Sequence, residues 1–361
     1  MGGEALKSVA VKRMDANQYR FLSTKVVRAL GGALPATRPH LLRSYSAKPD
    51  FGDIDVIVDA AGLPEDVPAA LRSMFGSREV FENVSRRNMA WSCDYLGHQV
   101  DIIAMSTLDY PTAIVYYSDN DLGSLMGGVA LSMGFKYGHD GLSYRVHDGT
   151  RLIGEVNVSR DPARIFEFLG YTSLQYDYAR FLRGFKTLAG IFNFAASSRF
   201  FRPEAYFPEH RGARRRSRDR SRKNYVAFVD WLRAGAAPPG VAAHLDESAH
   251  LVRAKILFPQ FSIDLANLYE RDARDRRRRE LFNGRIVSGV TGVHGSELGL
   301  LIEFMKKNFE GGIDAFNAWV DDLPGPDAPD LQSYINAAHA AFLARRANSP
   351  AIRRAGVAGY N

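Results

Sequence analysis

A single cysteine, Cys93, occurs among the 361 residues. The chain can therefore form no internal disulfide and no cysteine-based zinc site, and Cys93 reads as a small buried apolar side chain. The nine histidines never cluster at metal-ligand spacing, so no zinc centre is expected. No stretch approaches the roughly 18 consecutive apolar residues that span a bilayer. The leading MGGEALKSVAVKRM has no apolar segment of the secretory kind, and Leu6 stands where a myristoylation signal needs Ser or Thr. No internal repeat is visible. Together these absences predict a protein of a reducing cytoplasm with no membrane association. With 46% apolar and 24% charged residues, global disorder and fibrous repeats are excluded. At about 150 residues per domain, the length suggests two domains.

Charge is unevenly spread. Residues 1–160 are close to neutral, and the excess behind the net +7 lies in the remainder. Much of it comes from RGARRRSRDRSRK (211–223), with eight basic residues and one acidic, and from RDARDRRRRE (271–280), with six arginines and three acids. Such runs also occur as solvated helix faces. Two in one half of the chain favour a polyanion, because arginine grips phosphate with a two-pronged fork and each neutralised phosphate releases counterions. Neither run has the apolar face that a membrane-surface helix needs. Nucleic acid is the expected partner, with Arg214, Arg215, Arg216, Arg218, Arg220, Arg222 and Lys223 as its contacts.

The spacing of apolar residues predicts a helix over 17–30 closed by Gly31-Gly32, strands over 40–46 and 52–58, and a helix over 66–75. Short strands follow near 78–83, 89–94 and 98–104. A helix over 119–134 has Leu122, Leu125, Met126, Val129 and Met133 on one face, with Asp119 or Asn120 as its cap. Residues 135–158 read as a β-hairpin turning near Asp148-Gly149. From about 161 the pattern is helical, starting with Asp161-Pro162 and a Gly170 stop. Tyr178, Phe181, Leu182, Phe185, Leu188 and Phe192 form a stripe that suits helix packing. A Pro/Asp-rich loop (321–330) precedes a last helix, 331–346. The expected organisation is α+β. Residues 1–160 form a mixed sheet flanked by helices, and 161–361 form a mostly helical, basic, nucleic-acid-binding domain.

The most informative segment is SYSAKPDFGDIDVIVD (44–59). Side chains alternate along a strand, so Asp53 and Asp55 project from one face while Ile54, Val56 and Val58 pack the other. Neighbouring carboxylates repel, and on an apolar strand a cation is the natural offset. Hard oxygen ligands suit Mg²⁺, which also binds substrate phosphates. A second apolar strand, HQVDIIAM (98–105), carries one carboxylate, Asp101, which completes a candidate two-metal set. Ser44, Ser46 and Lys48 lie in a loop able to hold triphosphate oxygens. Asp59 falls at the strand end, outside metal reach. His139-Asp140, between two glycines, is either a base- or ribose-positioning pair or a simple turn.

Ser44, the step to Asp53, Asp-Ile-Asp-Val and the later Asp101 together resemble the DNA polymerase beta-type nucleotidyltransferase superfamily, which includes poly(A) polymerases, CCA-adding enzymes and antibiotic nucleotidyltransferases. Arg43 departs from its pattern, standing where a glycine is usual. NDLGSLMGGVALSMGFKYGHDG (120–141) and the Arg-rich segment are similar to nucleotidyltransferases of bacteriophages, which implies the cytoplasm of a host bacterium. FNGRIVSGVTGVHGSELGLLIEFMKKNF (282–309) resembles the C-terminal helical part of tRNA nucleotidyltransferases, with Gly292-Val293-His294-Gly295 opening a helix. The resemblance implies a palm-like N-terminal fold and a transferase using a nucleoside triphosphate. Two Mg²⁺ ions, with Mn²⁺ as the alternative, would be held by Asp53, Asp55 and Asp101. An RNA 3′ end is the first-choice acceptor, ahead of DNA. Two alternatives remain: nucleotide transfer to a protein or small molecule, and a catalytically silent nucleic-acid-binding protein.

Overall fold

The computed structural model describes residues 4–84, 89–177, 184–236 and 245–347. It is α+β, and its two compact units are Met1–Asp264 and Leu265–Asn361. The expected domain change near 160 marks where strands give way to helices, inside the first unit: the last strand ends at Ser159 and the next helix opens at Pro162.

The first unit begins with β1 (Met14–Asp15) and α1 (Ala16–Ala33). Asp15 caps α1 reciprocally with Gln18. The helix runs through Gly31 and Gly32, because neither adopts a left-handed conformation, and it ends just before Pro35. After β2 (His40–Leu41) and β3 (Asp50–Phe51) comes β4 (Asp53–Asp59). The strand expected over 40–46 is cut to two residues. The backbone beyond it leaves the sheet, and the Ser46 and Ala47 amides donate to the carbonyls of Phe185 and Lys186. Then follow α2 (Val67–Phe75), β5 (Val80–Val84), β6 (Met89–Tyr95) and β7 (His98–Met105).

The main sheet has the order β2-β4-β7-β6-β5. Only the β4–β7 pair is parallel, so the sheet is mixed. Ile54, Val56 and Val58 are fully buried on one face against Leu22, Val26 and Leu30 of α1 and Leu71 of α2, as the alternation requires. Cys93 joins that core, and burial pushes its thiol up to about 12. On the opposite face Ile57 packs with Leu42, Met105, Tyr110 and Ala113.

The helix expected over 119–134 is shorter and has a neighbour. A separate helix, α3 (Tyr110–Tyr117), precedes α4 (Leu122–Ser132). Between them Asp119 and Asn120 take left-handed φ of 57° and 61°, so neither caps α4. The apolar face is as expected, with Leu122, Leu125, Met126, Val129 and Met133 all buried. The segment 135–158 forms a three-stranded antiparallel sheet of β8 (Phe135–Gly138), β9 (Gly141–Asp148) and β10 (Arg151–Ser159), not a simple hairpin. Its second turn does lie at Gly149.

Helices complete the unit: α5 (Pro162–Phe168, capped by Asp161), α6 (Ser173–Asp177), α7 (Leu188–Ala196), α8 (Ala213–Arg220), α9 (Lys223–Arg233) and α10 (Glu247–Leu257). Of the aromatic stripe, Phe185 and Phe192 are buried, while Tyr178, Phe181 and Leu182 lie outside the described residues. The unit boundary falls within α11 (Pro259–Leu281). The second unit packs α12 (Gly284–Thr291), α13 (Gly295–Lys307), α14 (Gly312–Asp321) and α15 (Pro329–Ala347) around Leu301, Met305, Phe316 and Leu331.

His250 of α10 is buried, with its ring edge-on to Phe200 and its Nδ1 3.1 Å from Arg253 Nη1. Burial, then the Arg253 and Arg202 charges, lower its pKa to about 4. A free histidine titrates near 6.5, so between those values the unfolded chain binds the extra proton and stability falls as pH falls. NMR titration should place the His250 midpoint near 4. His250→Asn, which keeps an acceptor for Arg253, should flatten the stability–pH curve between about 6.5 and 5.

Candidate functional site

β4 and β7 run parallel in a register that sets Asp55 beside Asp101. Asp53 lies two residues before Asp55 on the same face, and one carboxylate oxygen from each of the three lies within 4.8 Å of the others. This cluster, expected from the strand pattern, can hold a metal ion. The donor set is entirely carboxylate oxygen, which suits a hard cation and not zinc or copper.

Neighbouring side chains orient Asp101. Gln99 Nε2 donates to both of its carboxylate oxygens at 2.9 and 3.1 Å, and Ser92, its cross-strand partner, also hydrogen-bonds to it. Neither residue stood out in the sequence. The available signal was Gln99's position two residues before Asp101, on the same strand face. Burial pushes the Asp101 carboxyl up to about 6, with the Asp53 charge adding and the two hydrogen bonds opposing. Burial likewise holds Asp55 well above the usual carboxylate range; Asp53 and Asp101 add to this, and Lys48 opposes it. The same burial pulls the Lys48 ammonium down, against the pull of Asp53 and Asp55.

Among the described residues, the five buried aspartates each carry an arginine partner. Asp59 pairs with Arg38, Asp94 with Arg78, Asp119 with Arg43, Asp219 with Arg211 and Asp272 with Arg276. Asp55 and Asp101 form no ion pair among the described residues. Asp59 also accepts from Thr107 and the Ala61 amide, and it is not part of the carboxylate cluster.

Beside Asp53 and Asp55 lies a polar cavity of about 120 Å³, bordered by Ser44, Lys48, Arg43 and Asn120. That volume is about four water molecules. Tyr19 and Tyr117 also border the cavity. Tyr19 stacks on Phe51 at 3.9 Å between ring centroids, and Lys48 lies over the same Phe51 ring with its Nζ 3.4 Å from Ser44 Oγ. Ser46 is not brought to the site: it is exposed and lies outside the cavity. His139 stands behind the wall, stacked on Tyr117 and hydrogen-bonded to its hydroxyl at 3.2 Å.

The basic run of 211–223 divides in two. Arg211 is buried against Asp219 at 2.6 Å, and Arg216 donates to the Arg211 carbonyl. Arg222 reaches Asp121 and Ser124 at the start of α4. Arg215, Arg218, Arg220 and Lys223 are exposed; the Arg214 side chain lies outside the described residues. In the second unit, Arg278 of the other run forks onto Asp321. Gly292 is the left-handed end of α12 and His294 opens α13, with Ser288 Oγ 2.8 Å from His294 Nδ1. Among the described residues, no helix is long and apolar enough to cross a membrane.

No protein-family model matches the chain, and no curated protein sequence matches it.

The division of the basic run has a measurable consequence. Asp219→Ala strands the buried Arg211 guanidinium and should cost about 3–5 kcal/mol in chemical denaturation. Arg215→Glu and Arg220→Glu, both exposed, should each change stability by less than about 0.5 kcal/mol.

Proposed function

We propose that the chain is a metal-dependent nucleotidyltransferase. The observation that carries this reading is the convergence of Asp53, Asp55 and Asp101 beside a phosphate-sized polar cavity bordered by Lys48 and Ser44. The three carboxylates would hold Mg²⁺, as one or two ions, with Mn²⁺ as the alternative. When bound, such ions supply charge neutralisation on the triphosphate and make the acceptor hydroxyl a better nucleophile. Lys48 Nζ and Ser44 Oγ donate to phosphate oxygens and hold the chain of phosphates in line. Gln99 and Ser92 fix the Asp101 carboxylate so that little reorganisation is needed during reaction. The acceptor hydroxyl gives up its proton to a carboxylate of the cluster or to solvent, its oxygen bonds to the α-phosphorus as the bond to the bridging oxygen breaks, and pyrophosphate leaves.

A nucleic-acid acceptor, RNA ahead of DNA, is supported by the exposed Arg215, Arg218, Arg220 and Lys223. They flank Arg222, which is anchored at the start of α4, directly after the cavity residue Asn120. The second reading is transfer to a protein or small molecule. It is favoured by the loss of Arg211, Arg216 and Arg222 to intramolecular bonds, which leaves fewer cations for a long polyanion.

The test is incorporation of each labelled nucleoside triphosphate with Mg²⁺ into RNA, tRNA, a DNA oligonucleotide or no added acceptor. Asp53→Asn and Asp55→Asn should lower turnover by about 10²- to 10³-fold or more without loss of folding. Near-normal turnover in either variant would sink the metal assignment. For an RNA acceptor, reversing Arg215, Arg218 and Arg220 together should raise the acceptor KM and cut the log–log salt slope by about 2, at roughly 0.7 per single-strand phosphate contact. Label on protein or small molecules without nucleic acid would establish the second reading. RNA binding without any turnover would mark a silent binding protein.

A further inference from the structure

The residue at the mouth of the phosphate loop is an arginine with a dedicated carboxylate behind it. Arg43 immediately precedes Ser44 and borders the cavity beside Asp53 and Asp55. Its Nη2 lies 3.1 Å from Asp119 Oδ2, and its carbonyl accepts from the Asp119 amide at 2.7 Å. About a third of the Arg43 side chain remains exposed, whereas that of Asp119 is 3% exposed. Asp119 Oδ1 has no hydrogen-bond partner among the described residues. Burying a carboxylate with one oxygen unserved costs free energy that a serine or alanine would avoid.

The backbone is unusual here too. Asp119 and Asn120 are consecutive non-glycine residues in the left-handed region, an uncommon conformation that Asp and Asn adopt more readily than other side chains. The turn holds the phosphate loop from one side: the Asp119 amide binds the Arg43 carbonyl, and Asn120 Oδ1 accepts from the Tyr45 amide at 3.3 Å. On the other side, the Phe185 and Lys186 carbonyls hold Ser46 and Ala47. Gly184, also left-handed, leaves the space beside Asp119 Oδ1, where any Cβ would stand 3.2 Å from that oxygen. A buried, partly unserved aspartate therefore does one visible thing, which is to fix an arginine at the cavity wall. A guanidinium has five donors on a rigid plane and can serve a carboxylate from one edge and a phosphate from another.

We propose that Arg43 is a triphosphate-binding residue of this site, aimed by Asp119 as its positioning residue. This rests on the nucleotidyl-transfer reading and adds to it the group that distinguishes a triphosphate from a monophosphate.

The experiment is calorimetric binding of a nucleoside triphosphate, the matching monophosphate and inorganic tripolyphosphate to the full chain with Mg²⁺. It compares the wild type with Arg43→Ala, Arg43→Lys, Asp119→Asn and the Arg43→Ala/Asp119→Asn double variant. Arg43→Ala should weaken triphosphate and tripolyphosphate binding by about 10- to 100-fold, the range of a charge-assisted hydrogen-bond pair, and change monophosphate binding by less than about twofold. Arg43→Lys should recover only part of the loss, because the ammonium keeps the charge without the fork. Asp119→Asn should lower the triphosphate-to-monophosphate affinity ratio in the wild-type background and leave it unchanged in the Arg43→Ala background. A purely structural role for the pair would weaken all three ligands together and would overturn the proposal. So would wild-type ratios in Arg43→Ala, or in Arg43→Lys should the alanine variant fail to fold; both results leave the nucleotidyl-transfer reading standing. A wild-type chain that binds Mn²⁺ at the carboxylates but no triphosphate would remove that reading and this proposal with it.

Discussion

Three carboxylates within 4.8 Å of one another repel, and much of the first unit's construction follows from accommodating that repulsion. The cluster stands on the two parallel strands at the middle of the sheet, where register fixes Asp55 against Asp101 and neither side chain can drift away. Ile54, Val56 and Val58 lock β4 from behind, and Ile57 anchors its front face one step beyond Asp55. Rigid backbones on both strands mean that the carboxylates cannot relieve the repulsion by moving apart. Burial, and after it the neighbouring charges, raise Asp55 and Asp101 toward the protonated form, and protons or a cation would each relieve the repulsion.

Much of this centre was legible in the sequence because it is local. An Asp-Ile-Asp-Val alternation with β-branched partners specifies a strand, its buried face and its carboxylate face from period two alone. The α4 stripe was legible for the same reason at period 3.6. What could not be read is what depends on a partner. Gln99 and Ser92 act on Asp101 only because β6 and β7 pair in one particular register. The strand at 40–46 has a good β pattern, yet its neighbours at 119–120 and 185–186 bind its backbone and pull it out of the sheet. There tertiary contacts overrode a weak local preference. No element was expected over Tyr110–Tyr117, a short helix with Pro in its first turn whose Tyr110 and Ala113 pack with Ile57 of β4.

The basic run shows a second limit. Eight cations in thirteen positions look like one continuous patch, but a sequence does not reveal which charges the fold uses. Arg211 enters the interior with Asp219 as counter-ion and lies over the Tyr225 ring, and Arg222 ties its helix to α4. What remains outside is a smaller group, Arg215, Arg218 and Arg220 between those two anchors and Lys223 just after the second. The anchors give that group a fixed position relative to the cavity, which a freely solvated basic tail would lack.

The buried aspartates make the strongest internal comparison. Asp59, Asp94, Asp119, Asp219 and Asp272 each meet an arginine, so the fold has a consistent way of burying a negative charge. The Asp59 carboxyl, bonded by Arg38, the Ala61 amide and Thr107, and the Asp94 carboxyl, bonded by the Glu79 amide, Ser77 and Arg78, fall below their ordinary value in spite of burial, whereas burial pushes Asp119 up to about 6 against the opposing Arg43. Asp55 has only the Lys48 charge to oppose its burial and Asp101 only the Gln99 and Ser92 hydrogen bonds, and both carboxyls rise. Among the described residues, Asp55 and Asp101 form no ion pair with an arginine, and their cluster with Asp53 could hold a metal ion. Burial also pulls the Lys48 ammonium down. That ammonium, on a flexible stem, lies close to both the carboxylates and the Ser44 hydroxyl.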